Sequence, residues 1–502
     1  MSKQTVFVNG HVFGADGQFY DAIIIDDDKI DHVGYEHNNE VQSALHDGAE
    51  RIDLKNHLVV PSFIDSHTHF LMYGLSLQKL DLGTCETLEE IRAAIRQFGK
   101  ENPQIPRIQY RGWLQASIEG HPVASMLDDL DPRRIFVESF DLHSTWCNTA
   151  ALEELPLESM KPVCGKFISC DQDGKPSRLL AESAQMLIVF PHLIREALKL
   201  YRETKGLPIH IAAHWRIQYS DDTNRETLSR NIDEAIAIHQ EWHPSKFPDF
   251  CIVGVKLVCD GVVDGCTAAL SQPYTGLVDL TQPFWPTEEI NFTVQRAAKA
   301  GLQCAIHAIG DQAISQVIDA IASAETAGGR HRIEHLELCS AADSKRLGEI
   351  GITASIQSVH SDPALLKAWP SLIDPRLLER AFPYKEFVHS HARIAIGTDA
   401  PTAKNLPLPN LYNATTRKSA LDPSVTEQPH EQFAHHALTL SEAVTAATTG
   451  AAYSRFAETW TGSLKKGLRA DFIVVDSQWT PDTLLDGKIY QTWSGGQKIS
   501  EC

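Results

Sequence analysis

Short apolar runs rich in β-branched residues alternate with helical stretches through the middle of the chain, and this alternation limits the fold more than any other feature. The clearest runs are residues 251–258, 303–307, 332–335, 352–357 and 393–399. Alternating strands and helices form parallel sheets, and this many units favour a closed barrel. We therefore expect an α/β protein built on a (β/α)8 TIM barrel.

The two ends of the chain share a different pattern, made of short strands and turns. Residues 5–13 and 22–34 predict a strand and a hairpin, and residues 462–476 and 489–496 predict further strands with glycine turns. We expect residues 1–57 and 462–502 to form one small β-sandwich domain. The barrel domain is then residues 58–461, with an insertion at about 75–180. Residues 440–450 predict a helix with Ser441 as N-cap and Gly450 as its stop.

Composition excludes several classes of partner. The net charge of −20 argues against a nucleic-acid or anionic-membrane surface, and no run of the sequence is long enough to span a bilayer. The N-terminal residues lack the apolar stretch of a signal peptide. The ten cysteines are scattered without a CxxC pair, which fits a reducing cytosol and argues against thiolate zinc sites. We expect a cytoplasmic protein that acts on a small molecule.

Residues that bind metals stand at the ends of the predicted strands. His67 and His69 close the apolar run 58–64, and two residues that are two positions apart on a strand point to the same face. Alone, this pair is better explained as polar residues leaving a strand. Later strand ends carry matching groups, and all these ends open on one face of a barrel. The candidates are His67, His69, Lys256, His307, His335 and Asp399. Four imidazoles and a carboxylate suit a zinc ion.

Six motifs occur in a fixed order along the chain. They are residues 61–69 (PSFIDSHTH), 254–261 (GVKLVCDG), 306–311 (IHAIGD), 332–335 (RIEH), 397–401 (GTDAP) and 467–476 (GLRADFIVVD). As an ordered set they resemble the amidohydrolase superfamily, specifically its YtcJ-like (amidohydrolase 3) branch. The resemblance implies a metal-dependent hydrolase that cleaves a carbon–nitrogen bond other than a peptide bond in a small molecule. N-acyl and N-formyl compounds are the expected substrates.

The resemblance also implies roles for the candidate residues. His67 and His69 would bind the more buried metal together with Asp399, and His307 and His335 would bind a second metal. Lys256 would bridge both ions as a carbamate formed with carbon dioxide, because a free ammonium repels metals. Asp399 would take the proton of the attacking water and pass it to the leaving amine. Two alternatives remain: a mononuclear site without a carbamate, and a purely structural role for each of these residues.

Four residues are predicted to bind substrate: Trp113, His143, Gln357 and His360. Trp113 and His143 lie in the segment that resembles the family's insertion, and Gln357 and His360 follow the predicted seventh strand. The alternative for Trp113 is a core position, since core aromatic residues are commoner. Asp141 and Asn148 beside His143 either contact substrate or hold the insertion together.

One departure from the family pattern affects the function. Residues 191–205 read as one helix that runs directly into the strand near residues 207–214, where the family has another barrel strand first. We hypothesise a barrel that lacks one βα unit, with residues 186–190 as an alternative strand. The alternative functions are a mononuclear deaminase or cyclic-amide hydrolase, a decarboxylase, or a non-catalytic or impaired relative. The sequence leaves the oligomeric state open, with a homodimer as one option.

Overall fold

The structure of the chain is a computed structural model that divides into two units. The main unit is Met1–His67, Ile209–Thr398 and Asn405–Cys502, and the second unit is Thr68–Pro208 and Asp399–Lys404. The described residues are 4–70, 72–74, 79–82, 85, 87–113, 118, 122–139, 144–164, 168–171, 174–181, 184–189, 209–220, 223–248, 250–324, 328–422, 424–425 and 433–501. Among them, no helix is long and apolar enough to cross a membrane.

A parallel sheet forms the centre of the main unit. Its six strands follow one another in chain order: Ile211–Arg216, Phe250–Val258, Gln303–Ala308, Arg332–His335, Thr353–Ile356 and Ile394–Ile396. Each neighbouring pair is parallel. The Ser66 N–H donates to the Ile396 carbonyl oxygen at 3.2 Å, so the segment before His67 lies beside the last strand. The α/β prediction is confirmed.

Helices join these strands. The principal ones are Arg225–Glu241, Thr287–Lys299, Asp311–Ser323, Ala341–Ile350 and Tyr384–His389. Helix Asp311–Ser323 shows why they pack on the sheet, because its apolar residues recur at helical spacing and Ile314, Val317, Ile318 and Ile321 are buried. Shorter helices are Asn39–His46, Trp369–Leu372, Pro375–Leu378 and Pro407–Thr416, with 3-10 turns at Ser358–Ser361, Ala434–His436 and Pro481–Thr483.

The predicted gap in the barrel falls on residues 190–208, which lie outside the described residues. Within the described residues, the parallel sheet holds the six strands given above. The alternative that residues 186–190 supply a strand is wrong for their described part, because Gln185–Val189 form a turn of π-helix.

Strands from both chain ends form two further sheets in the main unit. One contains Gln4–Val8, Ala22–Asp26, Lys29–Gly34 and Glu50–Asp53. The other contains His11–Phe13, Phe19–Tyr20, Leu58–Pro61, Phe472–Asp476, Lys488–Ser494 and Gln497–Glu501. The two sheets share a core in which the Phe7 ring packs edge-on against Trp493 at 4.9 Å. Leu58–Pro61 pairs with Phe472–Asp476, so the chain ends meet just before the His67 segment.

The second unit is built around its own mixed sheet. The strands are Leu80–Asp81, Arg107–Trp113, Arg134–Ser139, Ser144–Cys147, Ile168–Cys170 and Pro176–Ala181. Its helices are Leu88–Glu101, Ser125–Asp128, Thr149–Glu154 and Leu157–Cys164. The longest begins with a capping box in which Thr87 and Glu90 bind each other's backbone N–H groups.

The predicted ends of the helix at residues 440–450 are both wrong. Thr439, not Ser441, is the N-cap, because its hydroxyl accepts from the Glu442 N–H in a capping box. Gly450 does not stop the helix: Leu440–Thr445 continues through a π turn, Ala446–Gly450, into Ala451–Ser454. A Cβ atom on Gly450 would lie 2.0 Å from the Ile394 carbonyl oxygen, so glycine allows the helix to approach the last strand of the parallel sheet.

Candidate metal centre and active site

Four imidazoles gather at the carboxyl ends of the parallel strands in the main unit. The His307 and His335 ring centroids lie 4.3 Å apart, and those of His67 and His335 lie 5.4 Å apart. The His360 ring stacks on His335 at 5.7 Å with an interplanar angle of 6°. His307 and His335 come from strand ends, and His67 comes from the irregular segment after strand Leu58–Pro61 that lies beside the last parallel strand.

His335 reaches this cluster through an unusual turn. In the parallel register His307 pairs with Glu334, whereas His335 pairs with Ala308, so strand alternation alone would direct His335 to the opposite face from His307. The backbone of His335 has φ +77°, and the Leu336 N–H donates to the Glu334 carbonyl oxygen at 3.2 Å. This is a strained γ-turn with positive φ. Strain of this kind clusters at functional sites.

Glu334 and Arg332 hold His67 in place. The Glu334 carboxylate lies 3.1 Å from His67 Nδ1 and accepts from Arg332 Nε at 2.6 Å. Arg332 also donates to the carbonyl oxygen of Ser66 at 2.6 Å, directly before His67. Glu334 is fully buried and Arg332 is 3% exposed. A carboxylate on one imidazole nitrogen fixes the ring so that the other nitrogen can serve a metal.

The Glu334 carboxylate remains ionised in this setting. Burial acts to raise its pKa, but the Arg332 guanidinium, His67 and Lys256 outweigh burial and hold the pKa of Glu334 well below its usual range. The lowered pKa therefore favours the negative form of Glu334 beside His67.

A second carboxylate, that of Glu337, lies beside His360 in the cluster. The Glu337 carboxylate lies 3.5 Å from His360 Nδ1. One ligand atom each from His335, Glu337 and His360 lie within 4.8 Å of one another, a spacing that a single metal ion can bridge. His360 was predicted to bind substrate. The structure brings it together with the predicted metal ligand His335.

Lys256 shares a face of the sheet with His307 and Glu334. It pairs with Ala305, two residues before His307 on the neighbouring strand. His307 Nε2 lies 3.2 Å from the Gly261 carbonyl oxygen and 3.6 Å from Asp260. Asp260 is fully buried, and burial raises its pKa to about 7 although three backbone N–H groups bind it.

His69 and Asp399 belong to the second unit. His69 Nε2 lies 3.1 Å from Asp399 Oδ1. Asp399 has φ +58°, and within the described residues the first helix after it begins at Pro407. Asp399 therefore does not cap a helix among the described residues, and its carboxylate faces the His69 imidazole instead.

The predicted substrate-binding residues have mixed placements. Trp113 is fully buried in the core of the second unit against Trp146, the placement that its core alternative describes. The Asn148 side chain caps helix Thr149–Glu154 and bonds the Ile135 N–H, so it holds the insertion together. His143 and Asp141 lie outside the described residues. Gln357 is 2% exposed and stands just before the 3-10 turn that carries His360.

Four residues of the cluster were not predicted from the sequence: Arg332, Glu334, Glu337 and Asp260. Three of them stood inside or beside motifs already singled out, at residues 254–261 and 332–335. The sequence signal that could have found them is a charged residue in an otherwise apolar, buried strand, because a buried acid or base nearly always has a partner.

Comparison with known proteins decides the family. A model described as the amidohydrolase family matches residues 50–499. The chain belongs to the amidohydrolase family. It is 27% identical to the putative amidohydrolase YtcJ of Bacillus subtilis (strain 168), across 92% of this chain and 91% of that protein. That alignment runs over 506 residues, more than the 502 of this chain, so YtcJ contains stretches without a counterpart here.

Two further relatives extend the comparison of this amidohydrolase-family chain. N-substituted formamide deformylase of Arthrobacter pascens is 22% identical across 91% of this chain and 90% of that protein. The crystal structure of an uncharacterized metal-dependent hydrolase from Pyrococcus horikoshii OT3 superposes with a TM-score of 0.69 at 20% identity, covering 95% of this chain and 98% of that one. The structural likeness shows a shared fold.

Proposed function

We propose that this chain is a metal-dependent hydrolase that cleaves an amide-type C–N bond, N-acyl or N-formyl, in a small molecule. The observation that carries the proposal is the convergence of His67, His307 and His335 at strand ends of the parallel sheet. Family membership supports hydrolysis, and similarity to a protein named as a formamide deformylase favours N-formyl or N-acyl substrates.

The donor set of the cluster fits a divalent metal. Imidazole nitrogens suit zinc, and the Glu334 carboxylate beside His67 orients that ring as the rings of metal ligands usually are oriented. The strained turn at His335 is a further sign that its ring position is selected. His67, His69, His307, His335 and Asp399 would hold zinc. Lys256 would join them as a carbamate in a two-metal site, or stay an ammonium in a one-metal site.

When bound, the metal would supply a water activated near neutral pH and a polarised substrate carbonyl. Asp399 would hold the proton lost by the water and deliver it to the leaving nitrogen, since its carboxylate is positioned by His69. Glu334 would keep His67 in one orientation throughout. Gln357 and His360 would contact the substrate.

The architecture that accompanies this function is also a proposal. The six parallel strands and the segment before His67 would belong to an eight-stranded barrel, in residues 58–461. The two sheets from the chain ends would form the β-sandwich domain, which takes in strand Leu58–Pro61 besides residues 1–57 and 462–502. The insertion at about 75–180 corresponds roughly to the second unit, Thr68–Pro208. Zinc, a cytoplasmic location and a homodimer remain predictions.

A second candidate function, an impaired or non-catalytic relative, has one observation in its favour. YtcJ contains stretches that this chain lacks, as a missing βα unit would require. An incomplete barrel would leave unpaired strand edges and lose rigidity around the ligands.

A hydrolysis screen with metal control tests both candidates. Purified protein is assayed on N-formyl and N-acyl amines before and after chelation, and after zinc is restored. We expect hydrolysis that chelation removes and zinc returns. A folded protein that binds zinc yet hydrolyses none of these compounds would support the impaired relative, and activity unaffected by chelation would contradict the main proposal.

A further inference from the structure

Three side chains that commonly bind metals, His335, Glu337 and His360, come together within the main unit. One ligand atom of each lies within 4.8 Å of the other two, and His360 Nδ1 lies 3.5 Å from a Glu337 carboxylate oxygen. Glu337 is 6% exposed and His335 is 4% exposed. The roles that the family resemblance implies include His335 as a metal ligand, but neither of the other two. Glu337 and His360 are therefore two further donors beside a residue that already has a metal role.

The separation of these donors fits a single ion of the zinc type. Two donors that each lie about 2.1 Å from a tetrahedral zinc ion stand roughly 3.4 Å apart. The 3.5 Å between His360 Nδ1 and the Glu337 oxygen matches this spacing without movement of either side chain. Two imidazoles and one glutamate are also a known ligand set of catalytic zinc, which leaves a fourth position for water or substrate.

The backbone that carries His335 and Glu337 is strained and held from two sides. His335 and Leu336 have φ +77° and +55°, so two consecutive residues with side chains adopt a left-handed conformation. The Leu336 N–H donates to the Ala308 carbonyl oxygen at 3.1 Å, and the Phe382 N–H donates to the Glu337 carbonyl oxygen at 2.6 Å. Strain of this kind persists where the surrounding structure fixes it, as it does in ligand clamps.

The third donor comes from a segment that a buried asparagine fixes. His360 lies in the 3-10 turn Ser358–Ser361, and the side-chain oxygen of Asn410 accepts from the Ser358 hydroxyl at 2.6 Å. Asn410 is 3% exposed and donates to the Gly397 carbonyl oxygen at 2.9 Å, directly after the last parallel strand. All three donors thus stand on segments that the fold holds in place, as a preorganised metal site requires.

A protonated His360 is the alternative partner for the Glu337 carboxylate. An imidazolium and a carboxylate would also lie 3.5 Å apart, but such a pair needs only these two residues. The His335 ring stacks on His360 with an interplanar angle of 6° and supplies the third donor. A metal ion accounts for all three donors, whereas the ion pair accounts for two.

We propose that His335, Glu337 and His360 together hold one divalent metal ion, zinc by the type of its donors. Glu337 and His360 are then metal ligands of this chain, and His360 has a role other than contact with substrate. The inference concerns metal binding and does not rest on hydrolysis of any substrate.

Zinc affinity of single variants tests this assignment. Glu337→Gln keeps the size of the side chain and removes its charge, and His360→Ala removes one imidazole. In competitive titration against a zinc-binding dye, we expect each variant to bind its weakest-held zinc ion at least about 10- to 100-fold less tightly, the loss that even outer-shell changes cause. Glu458→Gln and His46→Ala are the matched controls, because Glu458 lies in a partly exposed ion pair and His46 is exposed. Wild-type zinc affinity in either folded variant would overturn the proposal and leave an ordinary ion pair between Glu337 and His360.

Anomalous X-ray diffraction locates the ion without any substitution, so it also serves if a variant does not fold. Crystals of the wild-type protein grown with zinc should show a peak within about 2.3 Å of His360 Nδ1 and of a Glu337 carboxylate oxygen. A peak there in a protein that hydrolyses nothing would support this inference while counting against the proposed function. Zinc peaks confined to other positions, or the absence of any peak, would contradict the inference.

Discussion

Replacing Glu334 by glutamine tests how the candidate metal centre is held together. Glu334 is fully buried, accepts two hydrogen bonds from Arg332 at 2.6 and 3.1 Å, and lies 3.1 Å from His67 Nδ1. Glutamine keeps the shape but removes the charge, which leaves the Arg332 cation buried without its counter-ion. Breaking a buried pair from one side costs about 3–5 kcal/mol of stability. Loss of the carboxylate on His67 should weaken metal binding about 10- to 100-fold.

Urea unfolding and competitive zinc titration measure the two effects separately. Glu458→Gln is the matched control, because Glu458 also pairs with an arginine, Arg330, at 2.6 Å but both partners are partly exposed. We expect that variant to lose at most about 1 kcal/mol and to bind zinc as wild type does. The reasoning is refuted if Glu334→Gln unfolds within about 1 kcal/mol of wild type and keeps wild-type zinc affinity.

Three other predictions follow from particular contacts. Burial lowers the pKa of His331 to about 4, so the unfolded chain takes up a proton first as pH falls. About 3 kcal/mol of stability should therefore be lost between pH 6.5 and 4. Urea unfolding of His331→Asn should show a flatter dependence of stability on pH over this range. Gly450→Ala should destabilise the protein by about 1–3 kcal/mol in thermal melts, because the added Cβ would clash with the Ile394 carbonyl oxygen. Gly74→Ala should be near neutral in the same melts, because nothing lies within 4 Å of its added Cβ. Trp113→Ala should lower stability by about 3–5 kcal/mol, because it leaves a cavity in the core. A melting temperature equal to that of wild type, with only a raised KM, would instead indicate that Trp113 binds substrate.

Strand positions were largely predictable because their signal is local. The run at residues 332–335 coincides with the observed strand Arg332–His335, and His307 stands where the parallel register brings it beside its neighbours. Composition, periodicity and β-branched residues within a few positions of one another are enough to predict that such a segment forms a strand.

What the sequence could not give depends on interactions between distant residues. The ring of His335 joins His307 only through a turn of positive φ, which strand alternation does not anticipate. The role of Glu334 becomes visible only when Arg332 and His67, which stands far earlier in the chain, lie next to it. Gly450 reads as a helix stop until the neighbouring strand explains why a side chain is excluded there.

Metal content is the measurement that tests the central claim most directly. Elemental analysis of purified protein, after dialysis against zinc and removal of excess, is compared between wild type and His335→Ala. We predict one or two zinc ions per chain in wild type and a loss of at least one ion in the variant, because His335 stands between His67, His307 and His360. A folded wild-type protein that retains no divalent metal, or an unchanged metal content in His335→Ala, would contradict the claim.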